Sequence, residues 1–151
     1  MRKLVLAAGF AFVASLLNAE ICIKNGDAIA FMGDSITQQG NSSPVGYVNL
    51  VIRGLEVCGV NAKKIPAGIS GHKSNNMLAR LDKDVISKKP RWMTFSCGVN
   101  DVWHGAKGVE LEDYKANVTK ILDKCAAAGV EVIVLTATMI GENPEGKNNK
   151  K

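Results

Sequence analysis

Histidine is scarce in this sequence: among 151 residues only His72 and His104 occur, and none follows His104. Chemistry that leans on an imidazole base therefore has few sources. Cysteine is sparse and unpaired in pattern, with Cys22, Cys58, Cys97 and Cys125 forming neither a C-x-x-C motif nor a Cys/His cluster. A zinc or other metal site has no support. Each cysteine lies in or beside an apolar segment at irregular spacing, so buried free thiols are expected rather than disulfides. The net charge of +5 draws on Arg2 and Lys3 at one end and on Lys147, Lys150 and Lys151 at the other. It describes the termini, so no basic face and no nucleic-acid partner are implied. No apolar run reaches the roughly 20 residues needed to cross a bilayer, and no internal repeat is visible.

What is present fits one globular domain: 151 residues with 46% hydrophobic content can build a single core. Arg2 and Lys3, the apolar run Leu4 to Leu17 and the small residue Ala19 follow the order of a secretory signal peptide. The expectation is a signal over residues 1–19 and a mature domain over 20–151, secreted or periplasmic and free of the membrane once the signal is removed. A lipoprotein is disfavoured, because Glu20 and Ile21 rather than small residues precede Cys22.

Short apolar runs alternate with segments of helical period. Ala28 to Met32, the weaker Lys64 to Ile69 with Pro66 inside it and a loop-like end, Trp92 to Ser96, and Val130 to Thr136 read as strands. The last is a nearly unbroken β-branched series of the kind found in strands buried on both faces. Tyr47 to Cys58 carries Val48, Val51, Ile52 and Leu55 on one stripe, and Leu111 to Cys125 repeats apolar residues at three and four. Asn75 to Ile86 is a third, less regular helix, and Gly59 and Gly129 act as helix stops. Strands alternating with helices predict a parallel sheet in a three-layer α/β/α sandwich. The tail from Gly141 to Lys151 is polar enough to be disordered by itself.

In open parallel sheets a ligand site lies at the carboxyl ends of the strands. There the sequence places Gly33-Asp34-Ser35-Ile36-Thr37 after the first strand, Ile69-Ser70-Gly71-His72 after the second, and Gly98-Val99-Asn100-Asp101 after the third. Ser35 is expected on an exposed loop between strand and helix, and three polar loops converge on one rim.

These three blocks, in this order, resemble the SGNH hydrolases, the GDSL-type lipases and esterases, over Ala28 to about Glu142. The resemblance implies the flavodoxin-like sandwich of that family, with strand order 2-1-3-4-5. It further implies a serine esterase in which Ser35 attacks an ester carbonyl. The negative oxygen of the tetrahedral intermediate would then be held by the backbone N–H of Ser35, the backbone N–H of Gly71 and the side chain of Asn100. A donor of that kind is worth about 10²–10³ in rate. Gly68 competes with Gly71, but the spacing to Ile69-Ser70 favours Gly71. Asp34 and Asp101 are read as structural at the site, bracing their loops. His72, His104 and Trp103 lie at the rim and are candidate substrate contacts, Trp103 either stacking on a sugar or filling part of the core. Hydrolysis needs only water, so no cofactor and no metal are expected.

The family also supplies a base from a D-x-x-H block near its carboxyl end. No such block occurs here, and the last strand and helix of the family fold are expected to be missing with it. Neither His104 nor His72 is a convincing replacement, and loss of a triad base costs roughly a million-fold. Two readings remain: an esterase whose sequence is incomplete, and a non-catalytic remnant or binding protein that keeps the pocket. A flavodoxin-like cofactor domain would want a glycine-rich or Ser/Thr-rich phosphate loop, which G-D-S-I-T-Q-Q-G does not offer. Export, together with a resemblance of C-G-V-N-D-V-W-H-G to the carbohydrate-directed branch of that family, points to O-acetyl groups on a polysaccharide, with lipid acyl chains and small esters left open. Without a fifth strand, Val130 to Met139 becomes a long, almost uncharged edge, a surface for self-association.

Overall fold

The computed structural model describes residues 21–137. The expected signal over residues 1–19, the mature start at Glu20, the tail from Gly141 and the last residues of the Val130–Met139 segment lie outside that range. Four parallel strands, β1 (Ala28–Gly33), β2 (Lys63–Gly68), β3 (Trp92–Phe95) and β4 (Glu131–Val134), form one sheet in the order β2-β1-β3-β4. Five helices surround it: α1 (Ser35–Ser42), α2 (Tyr47–Val57), α3 (Ser74–Asp84), α4 (Val99–Trp103) and α5 (Leu111–Ala127).

The layers arise from the alternation of β1. Ile29 and Phe31 turn to one face and pack with Val48 of α2, while Ala30 and Met32 turn to the other, joining Met77 and Leu81 of α3 and Ile121 and Cys125 of α5. Both faces of the central strand are thereby dry, and the α/β/α sandwich is the observed fold. On one side α1 and α2 are linked by a bond of 2.8 Å between the hydroxyls of Thr37 and Tyr47.

Departures from the sequence reading have local causes. Lys63–Gly68 is a full strand rather than one ending as a loop. Its Pro66 is tolerated because β2 is an outer strand of the sheet. β4 is shorter than Val130 to Thr136 and is not buried on both faces: among the described residues it lies at the other edge, with Ile133 43% and Val134 57% exposed. Of the cysteines, Cys97 and Cys125 are buried free thiols, whereas Cys22 and Cys58 are exposed. Cys22 precedes β1, and Cys58 caps α2 beyond its buried stripe. α1 and α4 carry too few apolar residues to show a helical stripe, and each is set up by the turn that leaves the preceding strand.

Candidate active site

Ser35 is the first residue of α1, not a loop residue, because Asp34 caps that helix: its carboxylate accepts the Ile36 N–H at 2.9 Å and its carbonyl accepts the Gln38 N–H at 2.9 Å. Asp34 is 1% exposed, so this brace is interior to the site. Ser35 itself is half-buried, and its backbone N–H and hydroxyl make no hydrogen bond among the described residues.

The second block is a tight turn. The His72 N–H closes on the Ile69 carbonyl at 3.3 Å, which puts Gly71 at the third turn position with φ +75°. Gly71 is exposed, has nothing within 4 Å of where a Cβ would stand, and its N–H makes no hydrogen bond among the described residues. Space is therefore not what demands glycine here; backbone conformation is. Gly68 differs: a Cβ there would run into the backbone of Thr37 and Gln38 in α1, 2.7 Å from the Thr37 carbonyl carbon. It is a packing glycine at the end of β2. The Gln38 side chain then reaches across to accept the Ser70 N–H at 2.8 Å, joining the first block to the second.

Asn100 and Asp101 sit on α4, a short helix, rather than in an open loop. The Asn100 side-chain amide donates to the His72 carbonyl at 3.1 Å, which ties the third block to the second and leaves a second amide hydrogen for a ligand. Asp101 is buried and accepts from the Ser74 N–H at 3.0 Å and the Ser74 hydroxyl at 2.6 Å, so it caps α3 from outside that helix. The Asn117 amide completes the cluster by donating to the Ser74 hydroxyl at 3.1 Å. Burial, and then the adjacent Asp101 carboxylate, push the Cys97 thiol far up, so Cys97 stays protonated and is no nucleophile.

The histidines divide by environment. His72 is half-buried and its Nδ1 accepts from Arg80 Nε at 3.0 Å, so its remaining ring proton is on Nε2. Desolvation, and then the Arg80 charge, hold its pKa below the ordinary value. It presents a neutral donor. His104 is exposed at the carboxyl end of α4, beside Trp103, which is 57% exposed and so is not core. A cavity of about 230 Å³ opens between α4, α5 and the segment after β4, walled by Gly98, Val102, Val109, Leu111, Tyr114 and Ala137.

Arg80 is the residue the sequence reading missed. It falls beside the apolar stripe Met77, Leu81 and Val85, and a charged residue on a buried helix face was the available signal. No group of three or more His, Cys, Asp or Glu among the described residues could hold a metal ion.

Comparison with known proteins extends this geometry. Residues 31–151 match the sequence profile of the GDSL-like Lipase/Acylhydrolase family. An acetylxylan esterase of Geobacillus stearothermophilus is 29% identical over 142 residues, covering 82% of this chain and 65% of the relative. The esterase TesA of Pseudomonas aeruginosa is 29% identical over 136 residues, covering 89% of this chain and 64% of TesA. Among solved structures, the acetyl xylan esterase AlAXEase superposes with a TM-score of 0.73 at 30% identity, over 81% of this chain and 65% of that one. The Geobacillus acetylxylan esterase Axe2 gives 0.75 at 27% identity, over 86% and 68%. The chain thus spans about two-thirds of the length of the curated relatives it matches, at 65% and 64%.

Proposed function

Because the chain belongs to the GDSL-like lipase/acylhydrolase family, we propose that it is a serine esterase whose nucleophile is Ser35. The Ser35 oxygen adds to the ester carbonyl carbon, and the carbonyl oxygen takes the negative charge. The Ser35 and Gly71 N–H groups and the free hydrogen of the Asn100 amide then donate to it. Collapse breaks the bond to the alkoxy oxygen, which leaves as the alcohol with the proton given up by the Ser35 hydroxyl, and the resulting acyl-serine is hydrolysed when water adds by the same route and returns a proton to Ser35. The observation that carries this reading is that the Ser35 and Gly71 N–H groups, at the carboxyl ends of adjacent strands, are both unsatisfied among the described residues. Donors left open in this way are what a developing oxyanion uses.

The substrate we favour is an O-acetyl group on a polysaccharide. Exposed Trp103, three residues from Asn100, is suited to stacking on a sugar ring, and two of the relatives above are named acetylxylan esterases. Export through the amino-terminal segment would bring the protein to such a substrate.

His72 Nδ1 already accepts from Arg80 Nε, so that nitrogen is not available to take the Ser35 proton. A second reading is a protein that binds an acetylated ligand without turning it over. Acetate release from acetylated xylan by the full chain, compared with Ser35→Ala, separates the two. Under the esterase reading the release is lost on substitution. Binding of acetylated xylo-oligosaccharides that persists in Ser35→Ala, with no serine-dependent release from either protein, would establish the binder instead.

A further inference from the structure

A guanidinium buried under the site joins the first two blocks. Arg80, on α3, is 9% exposed. Its Nη2 donates to the Gly33 carbonyl at 3.0 Å, its Nη1 to the Ala67 carbonyl at 2.8 Å and to Asp84 Oδ2 at 3.1 Å, and its Nε to His72 Nδ1 at 3.0 Å. Gly33 ends β1 two residues before Ser35, and Ala67 lies near the end of β2, just ahead of the Gly71 turn. The same Gly33 carbonyl accepts the Ile69 N–H at 3.1 Å, so two strands and a turn meet at one oxygen held by one cation.

We propose that Arg80 is the positioning residue of the oxyanion hole, its planar guanidinium locking the end of β1, the end of β2 and the His72 ring into one body. A planar fork suits this role. Four of its five N–H groups are engaged in directions fixed by one rigid plane. A lysine in its place would be a point charge with three rotatable donors, unable to reach both carbonyls and the imidazole at once. An acid at this place would repel the carbonyls instead of holding them. Asp84 balances the charge from the more exposed side, with 25% of its side chain accessible. Through His72 the effect also reaches the third block, since the His72 carbonyl is what holds the Asn100 amide. Arg80 thus touches no reacting atom, yet each of the three oxyanion donors is one or two residues or one hydrogen bond from a group it fixes.

The proposal rests on the esterase reading of this site, and its test is arranged so that the two fail separately. In the full chain, amide resonances of Ser35 and Gly71 and the ring nitrogens of His72 are followed by ¹⁵N NMR in wild type, Arg80→Lys and Asp84→Asn. Acetate release from 4-nitrophenyl acetate is measured alongside, with Ser35→Ala as the blank. In Arg80→Lys the Ser35 and Gly71 resonances should move and His72 should lose its fixed Nε2–H tautomer. Serine-dependent kcat should fall about a hundredfold with KM nearly unchanged, the expected penalty for a misplacement near 1 Å. Asp84→Asn loosens the guanidinium without removing it, and should move the same resonances in the same direction by less, which covers the case of Arg80→Lys failing to fold. Unmoved Ser35, Gly71 and His72 resonances in either folded variant overturn the proposal. Absence of serine-dependent release from wild type counts against the esterase reading alone, and the resonances still decide the role of Arg80.

Discussion

The Asn100 side chain donates its amide to the His72 main-chain carbonyl at 3.1 Å, so the oxyanion candidate on α4 is oriented by the backbone of the turn after β2. An amide has two hydrogens on one nitrogen. Fixing one against a carbonyl aims the other without rotational freedom, the kind of preorganisation that makes a donor effective in a transition state.

Replacing Asn100 by alanine removes both hydrogens at once. The expected result is a fall in kcat of about 10²–10³ with KM little changed, because the donor acts on charge that develops only in the transition state. The lost hydrogen bond should lower stability by only about 1 kcal/mol. Steady-state kinetics on an acetyl ester beside urea unfolding checks the pair of effects, and a loss of several kcal/mol in unfolding would mean that Asn100 is chiefly structural.

Asp101 should behave the other way. Buried at 2% exposure, it accepts from the backbone and hydroxyl of Ser74 and lies 3.8 Å from the Cys97 thiol. Asp101→Ala strips the cap from α3 and leaves the Ser74 N–H unsatisfied in the interior, a loss of about 2–4 kcal/mol from charge-assisted hydrogen bonds and an orphaned donor. Urea denaturation should show a lower midpoint at unchanged slope. A stable Asp101→Ala protein with lost turnover would instead make Asp101 a participant in the chemistry.

Gly68 at the end of β2 and Gly71 in the turn that follows give a paired test. Gly71→Ala meets open space but must hold a φ of +75°, which costs an L-residue about 1–2 kcal/mol and leaves packing intact. Gly68→Ala drives a methyl into the backbone of α1 and should cost about 1–3 kcal/mol through displaced packing. If the Gly71 N–H is the oxyanion donor, Gly71→Ala loses more turnover per unit of stability than Gly68→Ala. Thermal unfolding with kinetics on both variants reads the ratio, and equal ratios would remove Gly71 from the site.

How much of this was legible in the sequence depended on the range of the interaction. Periodicity located the four strands and the three long helices, because burial against a sheet imposes its period over many residues, as in β1 and α5. Motif order brought Ser35, Gly71 and Asn100 to the same end of the sheet. α1 and α4 were hidden, since a helix set up by an Asp34 cap or by the turn after β3 needs no apolar stripe. Arg80 was hidden for a related reason: the partners that tie it to the site strands are the Gly33 and Ala67 carbonyl oxygens, and every residue carries one, so no residue type marks them. Cys58 misled because an apolar neighbourhood in sequence is not burial once the helix has ended.

The edge of the sheet makes the last prediction. Along β4, Ile133 and Val134 are 43% and 57% exposed, on a strand paired on one side only among the described residues. Such an edge offers both unpaired backbone groups and apolar side chains to another copy, and natural proteins blunt it with charge, above all lysine. Here Glu131 starts the strand, and Val132, Ile133 and Val134 carry no charge after it. A chain spanning residues 20–151 should therefore elute as larger species with rising concentration in sizing chromatography. Ile133→Lys, at a partly exposed position on that edge, should shift it toward monomer without loss of helical signal. A sharp monomer peak for the unsubstituted chain at high concentration would show that the edge is protected, and Ile133→Lys would then change nothing in the elution profile.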